Sequence, residues 1–296
     1  MPALPNDVLR QIRRLHLRAR RMVRTSLGGE YHSAFKGTGL TFEDVREYQP
    51  GDDVRRIDWN VTARMNHPFV KRYVEERELT VLLVVDSSAS MRFGLGNQTK
   101  RSIAAETAAV LAVCAAGNND RVGFLSYTDR VERYCPPGKG GRHILRLLRD
   151  VLFLEPEGTK TDLSVALEYL NRIHRRRAIV FFLGDFQSGI PETLFRKTAR
   201  RHDTTAFRIT DPREQSWPKV GMVRLEDAET GESTMIDTNA GAFRNALTAR
   251  AVQRKAAFAE LCQQSCADLV ELDTNGQHFD AILRYFRSRE RRVRNG

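Results

Sequence analysis

The chain has 296 residues, 41% of them hydrophobic, and its 48 lysines and arginines outnumber 37 aspartates and glutamates to give a net charge of +11. This balance excludes a disordered chain and indicates one large α/β domain with additions, or two domains. No run approaches the ~20 apolar residues that cross a bilayer, and the first residues lack a secretion signal, so we expect a cytoplasmic protein. Four scattered cysteines predict neither a disulfide framework nor a zinc site.

The first segment, residues 1–29, contains a predicted basic amphipathic helix at residues 7–24. Its apolar stripe consists of Ile12, Leu15, Ala19, Met22 and Val23. Its basic face consists of Arg10, Arg14, Arg18 and Arg21. Two interpretations stay open: a helix docked on the rest of the protein with a solvated basic face, or a contact with an anionic membrane surface.

Residues 30–78 have the turns and short extended pieces of a β-rich preface, and residues 79–290 alternate apolar strands with helices. We predict strands at 79–86, 121–127, 131–135, 178–184, 204–210 and 268–273. We predict helices at 100–117, 141–154, 162–176, from 191, at 241–265 and at 277–289. A β-hairpin is inserted at about 211–240, and residues 291–296 form a basic tail. This pattern predicts a mostly parallel sheet with helices on both faces.

Oxygen-bearing side chains follow the ends of two predicted strands and open one predicted helix. Asp86, Ser88 and Ser90 follow the first strand of the sheet, Asp185 follows another, and a third loop carries Thr159 and Thr161. In an open parallel sheet the loops beyond the carboxyl ends of the strands converge on one crevice. Carboxylates and hydroxyls suit Mg²⁺ or Mn²⁺. Because alternate residues of one loop can face the same ion, we expect Ser87 and Ala89 to point elsewhere.

The Asp86-x-Ser88-x-Ser90 pattern, a threonine in a later loop and Asp185 after a second apolar strand resemble the metal-ion-dependent adhesion site of von Willebrand factor A domains. The resemblance implies that the serines and threonine ligate the ion while the aspartates act largely through water. It further implies that an Asp or Glu of a partner protein fills the open position. Counting back from Ala166 and Leu167 favours Thr161 as the threonine ligand, whereas the preceding Gly158 favours Thr159; our prediction takes Thr161.

The segment before the first strand of the sheet indicates a particular family within this resemblance. Three runs, Ser33–Phe42, Asp44–Trp59 and Thr62–Arg64, resemble the bacterial domain of unknown function 58 family over roughly residues 30–290. That family implies a von Willebrand A-like (Rossmann-like) α/β domain behind a β-rich preface. It also implies a non-enzymatic protein-protein interaction module that works with a MoxR-type AAA+ ATPase in the assembly or maturation of other proteins.

Two other classes of function are weighed against this hypothesis. An enzyme that transfers phosphoryl groups through an Asp86 nucleophile would want a second acid two residues on, where the chain has Ser88. A serine hydrolase would need a base close to its nucleophile and the Gly-x-Ser-x-Gly turn, which the chain lacks there. The positive charge suits nucleic acid or an anionic surface, but no nucleic-acid recognition signature accompanies it, so nucleic acid is disfavoured as a partner.

Overall fold

A computed structural model describes residues 6–35, 41–74, 78–94, 98–214 and 216–295. Residues 36–40 of the Ser33–Phe42 run lie outside the described residues. The chain divides into two compact units, one formed by Met1–Phe35 together with Leu79–Gly296 and the other by Lys36–Glu78. No helix in the described ranges combines the length and the apolar composition needed to span a bilayer.

The smaller unit is a two-stranded antiparallel sheet with a short helix between its strands. Helices α1 (Asn6–Met22) and α2 (Gly28–Ala34) come before this unit in the chain. The unit itself contains strand β1 (Thr41–Glu47), helix α3 (Trp59–Met65) and strand β2 (Phe69–Val74). The aspartates of this segment fix its turns. Asp52 accepts two hydrogen bonds from Arg46 at 2.8 and 2.6 Å, and Asp58 caps α3 by accepting from the backbone N–H groups of Asn60 and Val61.

The larger unit is built on a six-stranded sheet. Its strands and hairpin are β3 (Thr80–Asp86), β4 (Arg121–Tyr127), β5 (Val131–Gly138), β6 (Ile179–Gly184), β7 (Asp203–Thr210), β8 (Met222–Glu226), β9 (Ser233–Asp237) and β10 (Asp268–Asp273). The sheet order is β5-β4-β3-β6-β7-β10, and every pair is parallel except β4 with β5. In the chain order of these six strands this is the 3-2-1-4-5-6 order of doubly wound folds. The predicted α/β fold is thereby confirmed.

Helices cover both faces of this sheet. After α1 and α2, they are α4 (Lys100–Gly117), α5 (Gly141–Phe153), α6 (Leu163–Ile173), α7 (Glu192–Arg201), α8 (Gly241–Gln264) and α9 (His278–Asn295). Residues of β3 alternate between the two cores: Val81, Leu83 and Val85 pack with α4, whereas Leu82 and Val84 pack with α6 and α7. This alternation explains why the strand has a continuous apolar sequence.

The N-terminal helices pack on the same unit. A π-helical turn, Val23–Leu27, joins α1 to α2, so helical structure continues beyond the predicted end at residue 24. Of the predicted apolar stripe, Ile12, Leu15 and Ala19 are buried and belong to the core that contains α4. Helix α4 is apolar on nearly every side because the sheet covers one face and α1 packs against another. Among the two interpretations of the basic helix, this packing is the one expected for a docked helix.

Candidate functional site

The candidate site lies where the strand order of the sheet reverses. Strands β3 and β6 are parallel neighbours, with Val85 opposite Leu183, and the chain leaves them toward opposite sides of the sheet. Ligands of doubly wound folds gather beyond the carboxyl ends of the strands at such a reversal. Asp86 is the last residue of β3, and Asp185 follows the last residue of β6. Both aspartates are 1% exposed, so the structure buries two carboxylates at this edge.

A glycine allows the two strand ends to approach each other. A Cβ atom on Gly184 would lie 3.1 Å from the Asp86 Cβ and 3.4 Å from its Oδ2. Contacts this close are tighter than ordinary van der Waals packing, so a side chain at residue 184 would push the Asp86 side chain aside by a few tenths of an ångström. The glycine before Asp185 therefore leaves room for the Asp86 side chain at the end of β6.

The Asp-x-Ser-x-Ser loop turns its alternate residues inward, as predicted. The Ser88 N–H donates to Asp86 Oδ1 at 2.9 Å, and the Ser88 and Ser90 hydroxyl oxygens are 3.0 Å apart. Ser87 turns the other way, and its hydroxyl lies 2.6 Å from that of Ser126 on β4. Two oxygens that share an octahedral Mg²⁺ at 2.0–2.1 Å are about 3 Å apart, so the serine pair has the spacing of two adjacent ligands.

The threonine loop lies against this serine loop. The Ala89 N–H donates to the Thr159 carbonyl at 3.0 Å, and Asp162 caps α6 by accepting from Ser164. Thr161 is partly buried and Thr159 is exposed, and both hydroxyls lie near Glu229. Thr161 Oγ1 donates to Glu229 Oε1 at 2.6 Å, and Thr159 Oγ1 lies 3.5 Å from the Glu229 backbone carbonyl. The loop is therefore brought to the strand ends as predicted, and the shorter contact belongs to Thr161.

The residue after Asp185 has an unusual backbone conformation. Phe186 has a φ of 52°, a left-handed backbone conformation that residues other than glycine seldom adopt. Its ring stacks on Phe258 with centroids 4.4 Å apart, and this contact holds the turn in place. The turn lets the Gln187 N–H donate to Asp185 Oδ1 at 3.1 Å, which orients the carboxylate.

Sequence reasoning missed a buried lysine at the site. Lys100 Nζ lies 2.7 Å from Asp185 Oδ2 and 2.6 Å from Glu214 Oε1, and its side chain is 1% exposed. Burial alone would lower the pKa of Lys100, but the Asp185 and Glu214 carboxylates outweigh it and raise that pKa above its usual value. Lys100 is the first residue of α4, and a helix that follows a parallel strand begins at the carboxyl edge. That position is the sequence signal that could have found it.

The electrostatics of the site are dominated by its buried acids. Burial, followed by the charge of Asp185, raises the pKa of Asp86 to about 7, although hydrogen bonds from Ser88 and the charge of Lys100 lower it. Burial and the charges of Asp86 and Asp185 also raise the pKa of Tyr127 well above its usual value.

The donor set fits a hard divalent cation. It combines two carboxylates with serine and threonine hydroxyls, all of which are oxygen ligands of the kind that Mg²⁺ and Mn²⁺ prefer. Within the described ranges, no group of three or more His, Cys, Asp or Glu side chains is arranged to hold a metal ion. An ion at this edge would therefore depend on the hydroxyls.

Fold and site together define an α/β domain with an oxygen-rich polar site at the reversal point of a doubly wound sheet. The chain belongs to the family described as "Protein of unknown function DUF58", whose sequence profile matches residues 44–257. The resemblance found in the sequence is thereby confirmed. The chain is 34% identical over 283 residues to "Uncharacterized protein Rv1480" of Mycobacterium tuberculosis (strain ATCC 25618 / H37Rv), covering 95% of this chain and 89% of that relative.

Solved structures with a similar arrangement have low sequence identity. BatB from Bacteroides thetaiotaomicron is 12% identical with a TM-score of 0.46, covering 74% of this chain and all of that one (100%). The SpRpn10 VWA domain is 13% identical with a TM-score of 0.36, covering 70% of this chain and 94% of that one. The strand order described above, rather than these alignments, defines the fold.

Proposed function

We propose that this protein is a non-enzymatic interaction module that captures an acidic side chain of a partner protein through a divalent cation, Mg²⁺ or Mn²⁺. The observation that carries the proposal is the meeting of three loops at the strand-order reversal, which places the Asp86–Ser90 loop, the threonine loop and Asp185 together. A cation held there would leave a position for a carboxylate, since the hydroxyls that would ligate it directly carry no charge of their own.

Each residue of the site has a separate role in this proposal. Ser88, Ser90 and Thr161 would hold the ion through their hydroxyl oxygens. Asp86, oriented by the Ser88 N–H, and Asp185, oriented by the Gln187 N–H, would balance its charge, largely through water. Lys100 holds the second oxygen of Asp185 and so keeps that carboxylate in one orientation.

Metal titration tests the site directly, and the serine loop supplies a matched control. We expect Mg²⁺ or Mn²⁺ at a hundredfold excess over its dissociation constant to stabilise the protein by about 2.7 kcal/mol, seen as a higher melting temperature. Ser88→Ala should remove this response. Ser87→Ala should retain it, because the Ser87 hydroxyl faces Ser126 and not the site. A wild-type protein that folds but binds neither ion by calorimetry would refute the proposal.

The first partner to test is a MoxR-type AAA+ ATPase, which the family resemblance suggests. Purified wild-type protein should capture the ATPase in Mg²⁺ and release it on chelation, and the Ser88→Ala variant should not capture it. Capture that persists in chelator would instead favour a contact through the basic surface, such as the exposed arginines Arg10 and Arg14 of α1. Vesicles of anionic lipid and single-stranded RNA, tested in the same assay, distinguish a membrane surface and nucleic acid from a protein partner.

A further inference from the structure

The inserted hairpin has a tip whose shape is set by its own sequence. Asp227 Oδ1 accepts from the N–H groups of Glu229 at 2.8 Å and Thr230 at 3.1 Å, and the Asp227 N–H donates to the Glu232 carbonyl at 2.8 Å. Gly231 has a φ of 74°, which the turn requires and which glycine adopts without strain. The tip is therefore a preformed turn that presents Glu229.

The base of the hairpin is anchored and its two strands are exposed. Thr238, which is fully buried, donates from its hydroxyl to the Gly221 carbonyl at 2.8 Å and accepts from the Val220 N–H at 3.0 Å. Strands β8 and β9 pair with each other, while Met222 and Met235 are more than half exposed, at 61% and 57%. A two-stranded ribbon of this kind has little stability of its own, so contacts at its tip decide where the tip rests.

The tip rests on the candidate site. The Glu229 carboxylate accepts the Thr161 hydroxyl at 2.6 Å, and its backbone carbonyl lies 3.5 Å from the Thr159 hydroxyl. Both threonines considered as metal ligands thus contact one acidic residue that lies 68 positions from Thr161 in the chain. An oxygen 2.6 Å from a ligand atom is close to the ~3 Å that separates adjacent oxygens around an octahedral Mg²⁺.

We infer that Glu229 is an internal acidic ligand, so that the hairpin β8–β9 closes the candidate site until an acid of a partner protein displaces it. This inference rests on the proposed function, because Glu229 can compete with a partner's carboxylate only if that carboxylate binds at the site. The hairpin then sets the affinity for partners, since each binding event must first release the Thr161–Glu229 contact.

A substitution at the tip and a matched control test the inference. Glu229→Gln removes the competing charge, whereas Glu232→Gln removes the same charge from an exposed position on the same turn. The probe is a labelled peptide of alternating glycine and glutamate, added to the full chain in Mg²⁺ and, separately, in chelator. Glu229→Gln should bind this peptide at least about fivefold more tightly than either the wild-type protein or Glu232→Gln, and only in Mg²⁺.

Titration with Mg²⁺ alone gives the second readout and separates two kinds of failure. The Glu229→Gln variant should bind the ion more weakly than the wild-type protein, since it lacks one carboxylate ligand, while Glu232→Gln should match the wild-type protein. Equal behaviour of the two variants toward peptide and ion would overturn the inference and leave the proposed function standing. Failure of the wild-type protein to bind Mg²⁺ would overturn both.

Discussion

The buried ammonium of Lys100 provides a test of the site that needs no ligand. Replacing Lys100 with methionine retains the length and apolar stem of the side chain but leaves Asp185 and Glu214 without their counter-charge. The Asp185 side chain is 1% exposed and the Glu214 side chain 18%, so Asp185 cannot turn to water. Removing one partner of a buried ion pair destabilises a protein by about 3–5 kcal/mol.

Thermal unfolding followed by circular dichroism and calorimetry measures this loss. For a unit of more than two hundred residues, each kcal/mol shifts the melting temperature by about 2–4 °C, so Lys100→Met should lower it by roughly 6–20 °C. The matched control is Lys255→Met, because Lys255 is 57% exposed and lies 4.0 Å from Glu271. The control should change stability by less than about 0.5 kcal/mol.

A double-mutant cycle shows whether the loss comes from this pair. If Asp185→Asn is added to Lys100→Met, the more deeply buried of the two uncompensated charges disappears, and the double variant should recover part of the stability that Lys100→Met loses. A loss below about 1 kcal/mol in Lys100→Met, or strictly additive effects, would refute the view that the ammonium balances Asp185.

Four further substitutions probe the packing and charge of the unit. Burial raises the pKa of Asp120 to about 6, so the folded state retains a proton that the unfolded state releases, and the stability from this proton is lost as pH rises from about 4 to about 6. Asparagine offers one acceptor oxygen where Asp120 accepts from both the Tyr31 hydroxyl and the Leu79 N–H, so the prediction concerns the pH dependence. In pH-dependent melts, the stability of Asp120→Asn relative to the wild-type protein should rise by about 1–2 kcal/mol across this window. Leu15→Ala should cost about 2–3 kcal/mol by urea unfolding because Leu15 is 9% exposed, whereas Leu17→Ala, at a position 63% exposed, should cost less than about 0.5 kcal/mol. Gly184→Ala should cost about 1–3 kcal/mol and weaken any Mg²⁺ response, because its Cβ would displace Asp86; an unchanged response would contradict the steric role of Gly184.

Local sequence patterns were sufficient to place the strand-end residues of the site. Asp86 and Asp185 each follow an apolar run that can only be a buried strand, and parallel neighbours end at the same edge of the sheet. The alternation of the next residues predicted that Ser88 and Ser90 face inward and that Ser87 faces away, as found. These predictions succeeded because one strand and the turn after it determine where such side chains point.

The other charged residues of the site could not be placed from apolar runs and alternation alone. Lys100 opens a helix and has the sequence context of a solvated charge, yet that helix lies beneath α1 and delivers the ammonium to Asp185. Glu214 and Glu229 follow β7 and β8, and their positions depend on how a loop and a hairpin fold back over the sheet. No periodicity in the sequence predicts how this loop and this hairpin fold back, because tertiary contacts determine their positions.

The charges of the site connect its parts to the proposed capture of an acid. The Lys100 ammonium contacts the carboxylates of Asp185 and Glu214, and its charge also acts on the nearby Asp86 carboxylate. Three carboxylates and one ammonium leave an excess of two negative charges when all are ionised. One divalent cation would neutralise that excess, and Glu229 or a partner's acid would then add a single negative charge. Without Lys100 the same acid would approach a site that already carries a negative charge, so repulsion would weaken its binding. The lysine is therefore expected to set the affinity for an acid as much as the stability of the fold.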